Sequence, residues 1–367
     1  MKIISSRNLL NDAVSMAQKA ISTRSTVPIL EGILAEADEN GLTLTGYDME
    51  TGIECKVDAE VIEPGSIVIN ARMLGDIVRK LPDDTVTLET DEKQIISITC
   101  GRSSFKIRGL NAGEYPKIPI VEEAKQLVLP QQILKDMITQ TIFSVSNDPN
   151  RPILNGIKVT VKENALELVA IDGYRLALRR EVFDDKLPEM QFIVPTKTMH
   201  EASRILVNVN EDVKIYPSHN HILFDTGTVK MVSRLLQGEY MQYESIIPTS
   251  AMTQMFVETK PLLSAIERAA LVVDVENRRF PINVKNEDDS HLLISARTDV
   301  GQAKEDVMME KSGEDIDYNY DPRYLNEALK AIPDEKIRLQ FNGQMGPCLL
   351  LPEEGDSFLY LVLPVRV

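Results

Sequence analysis

The chain repeats itself three times, and this limits its possible folds more than any other feature. Three stretches begin at Leu9 (LLNDAVSMAQKAISTRSTVPIL), Ile133 (ILKDMITQTIFSVSNDPNRPIL) and Leu262 (LLSAIERAALVVDVENRRFPIN). Each is an amphipathic run closed by a proline at offset 19: Pro28, Pro152 and Pro281. An Asp ends the second strand-like segment that follows, at offset 39 in the first two copies (Asp48, Asp172) and at 37 in the third (Asp299). Arg72, Lys197 and Arg323 open matching short helical runs, and GEYP at Gly113 returns as GEYM at Gly238, 125 residues later. A unit of that length far exceeds the roughly 20–50 residues of a solenoid repeat and can hold its own core. Three tandem domains are expected, over 1–122, 123–250 and 251–367, with loose composition at PIVEEAKQ and PTSAMTQ marking the joins.

Within a unit, Leu10, Ala13, Val14, Ala17 and Ile21 recur at helical spacing, as do Leu134, Met137, Ile138, Thr141 and Val145. The third copy keeps Leu263, Ile266 and Ala270 but carries Glu267 and Asp274 at the other two positions. Helices are expected over 8–24, 71–81, 132–146, 196–206, 261–272 and 322–332. Strand-like segments fill the rest: ILAEAD and LTLTGYD around a tight turn at Asn40-Gly41, then SIVIN, VTLET, IISITC and SFKIRG. Each domain reads as two helices over mostly antiparallel strands, an α+β arrangement.

With 40 basic against 56 acidic residues the net charge is −16, which argues against a protein that coats itself in nucleic acid. The six helical segments nevertheless sum to +5, leaving −21 for the remainder. Two readings stay open. The helix faces are ordinary solvated surfaces, or a triplicated unit turns one mildly basic face toward an extended polyanion through sequence-blind phosphate contacts.

The common routes to catalysis lack their residues. No GxxxxGK[ST] loop, GxGxxG, GxSxG, HExxH or DxDxDG occurs. His219 and His221 have no third ligand at metal spacing, so no metal or cofactor is expected. Asp48, Asp172 and Asp299 read as caps of strand-end turns and not as acid/base groups. Cys55, Cys100 and Cys348 form no CxxC and suggest reduced thiols in the cytoplasm. No apolar run approaches the roughly 18 residues of a membrane span, and Asn11 and Asp12 interrupt any leader-like start.

The threefold unit, the segment IDGYRLA (Ile171 to Ala177), GEYP/GEYM and the terminal LVLPVRV resemble the bacterial DNA polymerase III β subunits, the family of replicative sliding clamps, along the whole chain. The resemblance implies a non-enzymatic, head-to-tail homodimer. Its six domains would close into a ring around double-stranded DNA, helices inward and sheets outward, without sequence specificity. It implies DNA-facing positions at Arg24 and, in corresponding inner segments, Arg72, Arg79, Lys80, Arg151, Lys197 and Arg204. In DPNRPIL, Pro152 and Ile153 replace aromatics of some relatives.

It further implies a groove between the second and third domains. There the replicative polymerase, the clamp loader and repair proteins would dock short linear motifs. The matching positions are Leu154, Ile171, Gly173, Tyr174, Arg175, Leu176, Ile246, Tyr324, Met345, Pro347, Leu361, Val362, Leu363, Pro364, Val365 and Arg366. The apolar members would form a floor, and Arg175 and Arg366 would bond the peptide backbone or acidic groups. On the same rim, Met241 and Ser245 stand where some relatives have proline and arginine. Phe105 and Ile107 on one side, Leu271 and Val272 on the other, match the family's subunit boundary. Taken alone, LYLVLPV also reads as an ordinary last core strand. A monomeric peptide-binding scaffold and an enzyme using the repeated aspartates are the competing readings.

Overall fold

Period-two alternation produces antiparallel strands throughout, and the helical stripes form six α-helices among the described residues. The computed structural model describes residues 1–22, 26–82, 84–122, 125–207, 210–275, 278–343 and 346–365, with backbone alone for 274, 275, 278 and 279. Two compact units emerge, residues 1–134 with 201–235 and residues 135–200 with 236–367. Neither unit is a single sequence repeat.

The first unit contains a five-stranded sheet in the order Glu60–Glu63, Lys2–Ser6, Thr85–Thr90, Ile95–Cys100, Ser103–Arg108. Its eight-stranded sheet joins two repeats because strand Val229–Arg234 pairs with Thr51–Val57, from Val229 opposite Cys55 to Ser233 opposite Thr51. Helices α1 (Arg7–Ala17) and α2 (Ala71–Lys80) begin at side-chain caps: Ser6 accepts from the Leu9 amide and Asn70 from the Met73 amide. Leu10, Ala13, Val14 and Ala17 of α1 are buried. Gly46 lets α1 approach, since a Cβ there would lie 2.0 Å from the Ala17 carbonyl oxygen. The Gln18 amide bridges the helices by donating to the Ala71 carbonyl at 2.6 Å.

The second unit is built on a twelve-stranded sheet. Strand Arg175–Val182 of the second repeat pairs with the C-terminal strand Phe358–Val362. Strand Gly301–Gly313 changes partner along its length, pairing with His291–Thr298 through residue 308 and with Thr253–Glu258 beyond it. α3 spans Gln131–Thr139 and α4 spans Thr196–Ile205. α5 (Thr259–Ala270) and α6 (Pro322–Ala331) close the core of the third repeat.

Three helices depart from expectation by two residues or more. α1 gives way to a 3-10 turn at Gln18–Ala20, and Ile21 is extended. α3 stops at Thr139 instead of 146, where the Thr139 and Thr141 hydroxyls donate back to the carbonyls of Lys135 and Met137. α5 begins two residues early, because Pro261 is tolerated in a first turn, and buries Leu262, Ala265, Ile266 and Ala269. Its stripe is therefore shifted from the expected Leu263 and Ala270, which are only partly buried.

The GEY motif has a clear structural role. The Tyr115 hydroxyl donates to the carbonyls of Gly32 and Thr45, and the Tyr240 hydroxyl to those of Gly156 and Val169. The same ring therefore ties the same two strands in each of two repeats.

Candidate partner groove and nucleic-acid surfaces

The groove builds up from one strand pair in the second unit. Leu176 lies opposite Leu361 and Arg175 opposite Val362. Alternation sends Leu176 and Leu361 into a buried cluster with Leu154, Ile171, Tyr240 and Leu349. It sends Val362 to the other face, into the core of the third repeat. Val362 is thus buried on the side of the strand pair opposite to Leu176 and Leu361, in the cluster against which Tyr324 packs. Ile153, Leu236 and Ile247 also pack against the cluster; none of them is among the groove positions expected from the sequence, and Ile247 directly follows the expected Ile246.

Above this floor stand exposed apolar side chains: Met241, Ile246, Leu363, Val365 and, most of all, Tyr174, which is 63% exposed. The tail is held at two points, the Leu363 amide donating to the Tyr174 carbonyl at 2.9 Å and the Val365 amide to the Asn319 carbonyl at 2.7 Å. Pro364 and Pro347 are half-buried. The exposed Ser245 donates its hydroxyl to the Gln242 carbonyl at 3.0 Å. Met345 and Arg366 lie outside the described residues.

The loop from Asp172 to Arg175 is pinned. Asp172 accepts from the amides of Tyr174 and Arg175 at 2.9 and 3.0 Å, while Gly173 takes φ +99°, a conformation that disfavours any side chain. Asp48 caps the Glu50 and Thr51 amides in the same way. At the third position the Thr298 hydroxyl, and not Asp299, accepts from the Val300 amide.

Arg175 spends its donors within the unit. Nε meets Asp172 at 2.9 Å, one terminal nitrogen meets Glu327 at 2.5 Å, and the other donates to the Phe143 carbonyl at 2.5 Å. The guanidinium lies 4.7 Å from the Tyr324 ring centre and 5.6 Å from that of Phe143. Tyr174 stacks on Tyr324 with centroids 6.1 Å apart and planes 18° apart. Arg175 therefore braces the ring pair at the mouth of the groove, with three of its five N–H donors bonded within the unit. No local sequence pattern points to Glu327 or Phe143 as its partners.

The cation positions divide between the units. On α2, Ala71, Leu74, Gly75 and Val78 are buried while Arg72, Arg79 and Lys80 are exposed. Asp76 sits among them, 4.0 Å from Arg72 and 3.4 Å from Arg79. Arg204 pairs with Glu201 at 2.8 Å in the first unit, and Arg151 with Asp148 at 3.8 Å in the second. Lys197 begins α4. Arg24 lies outside the described residues. In the third repeat the helix cations are paired, Arg323 with Asp321 and Lys330 with Glu267.

Strand Ser103–Arg108 is the outer strand of the five-stranded sheet. Phe105 and Ile107 stand opposite the fully buried Ile98 and Ile96, yet Phe105 is 39% exposed. In the second unit, Leu271 caps the C-terminus of α5 and is 78% exposed. Val272 accepts from the Thr298 hydroxyl at 2.9 Å, next to a turn carrying the exposed Val300. An apolar residue in a tight Asp-Val-Gly turn was the available signal for Val300. Among the described residues no group of three His, Cys, Asp or Glu is placed to hold a metal, and no helix is long and apolar enough to cross a membrane.

Comparison with known proteins gives a consistent result. Models of the N-terminal, central and C-terminal domains of the DNA polymerase III beta subunit match residues 1–119, 128–242 and 244–366. A beta sliding clamp from Halalkalibacterium halodurans is 35% identical, each chain covered in full. The DNA polymerase sliding clamp of Bacillus subtilis superposes with a TM-score of 0.95 at 34% identity, over 100% of this chain and 99% of that one. A sliding clamp from Pseudomonas aeruginosa, crystallised with griselimycin, superposes at 0.94 with 27% identity and full coverage of both chains.

Proposed function

Since the chain belongs to the DNA polymerase III β subunit family, we propose that it is a sliding clamp: a head-to-tail homodimeric ring that encloses duplex DNA and tethers the replicative polymerase. The observation that carries this reading is the match of all three family domains, in order, along one chain. Domain limits fall at 122/123 and 250/251. The protein works in the cytoplasm and catalyses nothing; its contribution is topological. A ring that cannot leave DNA needs no tight grip, so weak phosphate contacts are an advantage and strong ones would stop movement. Contacts from Arg24, Arg72, Arg79, Lys80, Arg151, Lys197 and Arg204 serve that purpose, and the partial pairing of Arg72 and Arg79 by Asp76 supports it.

The ring closes where Phe105 and Ile107 of one copy meet Leu271 and Val272 of the next. Their exposure supports this, because an unpaired outer strand with an exposed aromatic is a surface that seeks cover. Polymerase, loader and repair proteins insert apolar motif residues over the Leu154–Leu361 floor, beside Tyr174 and Tyr324. Met241 and Ser245 leave that rim without a positive charge, so peptides are chosen there by shape. Primer extension by the cognate polymerase with a loader tests the whole reading. Long products that require this protein are expected; equal product lengths with and without it contradict the proposal.

A further inference from the structure

On the face of the second-repeat sheet that carries Tyr243, a separate cleft of about 420 Å³ opens between strands Gly156–Lys162 and Met190–Pro195 and the short helical turn Tyr243–Ile246. Strand alternation places Lys158, Thr160 and Lys162 on one face, so two lysine side chains flank one threonine, each rooted about 6.8 Å from it along the backbone. Among the described residues neither ammonium has a carboxylate within 4.0 Å; Lys158 instead lies 4.9 Å from the centre of the Tyr243 ring. The Thr160 hydroxyl is buried and has no hydrogen-bond partner among the described residues, an arrangement that costs free energy unless something accepts its proton. Gln191 stands directly opposite Thr160 in the register and adds an amide at the floor.

Three carboxylates also face the cleft and must be reckoned with. Glu167 is opposite Thr160 and is held 3.6 Å from Arg180, which also binds Asp356 at 2.9 Å. Glu163 lies in the hairpin turn beyond Lys162, and Glu244 beside Tyr243. In a chain of net charge −16, whose other lysines are repeatedly found against Asp or Glu, two lysines unpaired in one concavity beside an orphaned hydroxyl are a distinct arrangement. We propose that this cleft binds a phosphate monoester, its oxygens between Lys158 and Lys162 and accepting from Thr160, with the Tyr243 ring as a side wall. Charge-assisted bonds of this kind are about twice as strong as neutral ones, and a phosphate supplies acceptors for all three donors. The cleft borders the groove, since Tyr243 also packs in the cluster with Leu154 and Leu361, but none of the exposed rim residues of the groove lines it, so it would remain available on a clamp engaged with a partner.

The test uses the full-length protein and two probes, inorganic phosphate and adenosine 5′-monophosphate, with adenosine as the phosphate-free control, followed by calorimetry and by amide shifts of residues 158–162. Saturable binding of both phosphates and none of adenosine is expected. Lys158→Gln with Lys162→Gln should weaken it about tenfold, and Thr160→Val by several-fold, with Lys304→Gln as an unaffected control. Motif-peptide affinity serves as the fold readout and should not change in any variant. Absence of saturable binding by either phosphate overturns the proposal, as does binding that survives the double substitution. Equal binding of adenosine would also overturn it, because the ligand would then be recognised by its base.

Discussion

The Nε of Arg175 stands 2.9 Å from the carboxylate of Asp172, three residues earlier, and both side chains are at most 15% exposed. Asp172 thereby neutralises a buried guanidinium while its other oxygen shapes the turn that presents Tyr174. Breaking a buried pair by removing one partner is costly, since the other charge is left uncompensated. Arg175→Ala should lower stability by about 3 kcal/mol and weaken motif-peptide binding by loosening the Tyr174–Tyr324 stack. Denaturant melts and fluorescence anisotropy read the two effects. A variant of unchanged stability would show that the network is not formed in solution.

The matched tyrosines give a test internal to the repeat. Tyr115→Phe and Tyr240→Phe each remove two hydrogen bonds to backbone carbonyls of equivalent strands, and each should cost about 1 kcal/mol. The two sites share no partner, so the double variant should show the sum. Chemical denaturation of the three variants measures this.

Asp76 is the one acid on the exposed side of α2. Asp76→Asn should release Arg72 and Arg79, tightening binding to short linear duplex and steepening its salt dependence by about one unit of log–log slope. Its sliding should slow accordingly, as single-molecule tracking would report. An unchanged slope would mean that these arginines do not face phosphate.

His291 supplies the pH prediction. Its ring nitrogen contacts Asp288 at 3.0 Å, and that carboxylate holds the imidazole above its ordinary value of 6.5. A group whose pKa is raised by folding contributes its stability fully below 6.5, and that contribution is lost as pH rises through the folded value. Asp288→Asn should bring the titration midpoint back down, as NMR of the ring protons will show. The pair is exposed, so the change in stability itself should be small.

Much of the architecture was legible in the sequence because repetition multiplies weak signals. Pro28, Pro152 and Pro281 set the register, and the strand-like segments SIVIN, VTLET and IISITC fall on strands. Helix ends were less legible. The halt of α3 depends on threonine hydroxyls that bond back to the helix, and the shifted stripe of α5 on a proline in its first turn. In the groove, apolar residue types identified the floor, but the side of the sheet that Val362 takes depends on pairing register. The role of Arg175 was hidden for another reason: Glu327 lies 152 residues away in sequence, and no local pattern connects such pairs.

Retention on circular DNA tests the central claim most directly. The protein is loaded onto a nicked circle at a salt concentration that abolishes electrostatic binding, isolated by gel filtration, and compared before and after the circle is linearised. An enclosing ring stays with the circle as a dimer of the 41.2 kDa chain and runs off the linear form. Equal loss from circular and linear DNA, or retention that only low salt sustains, would contradict encirclement.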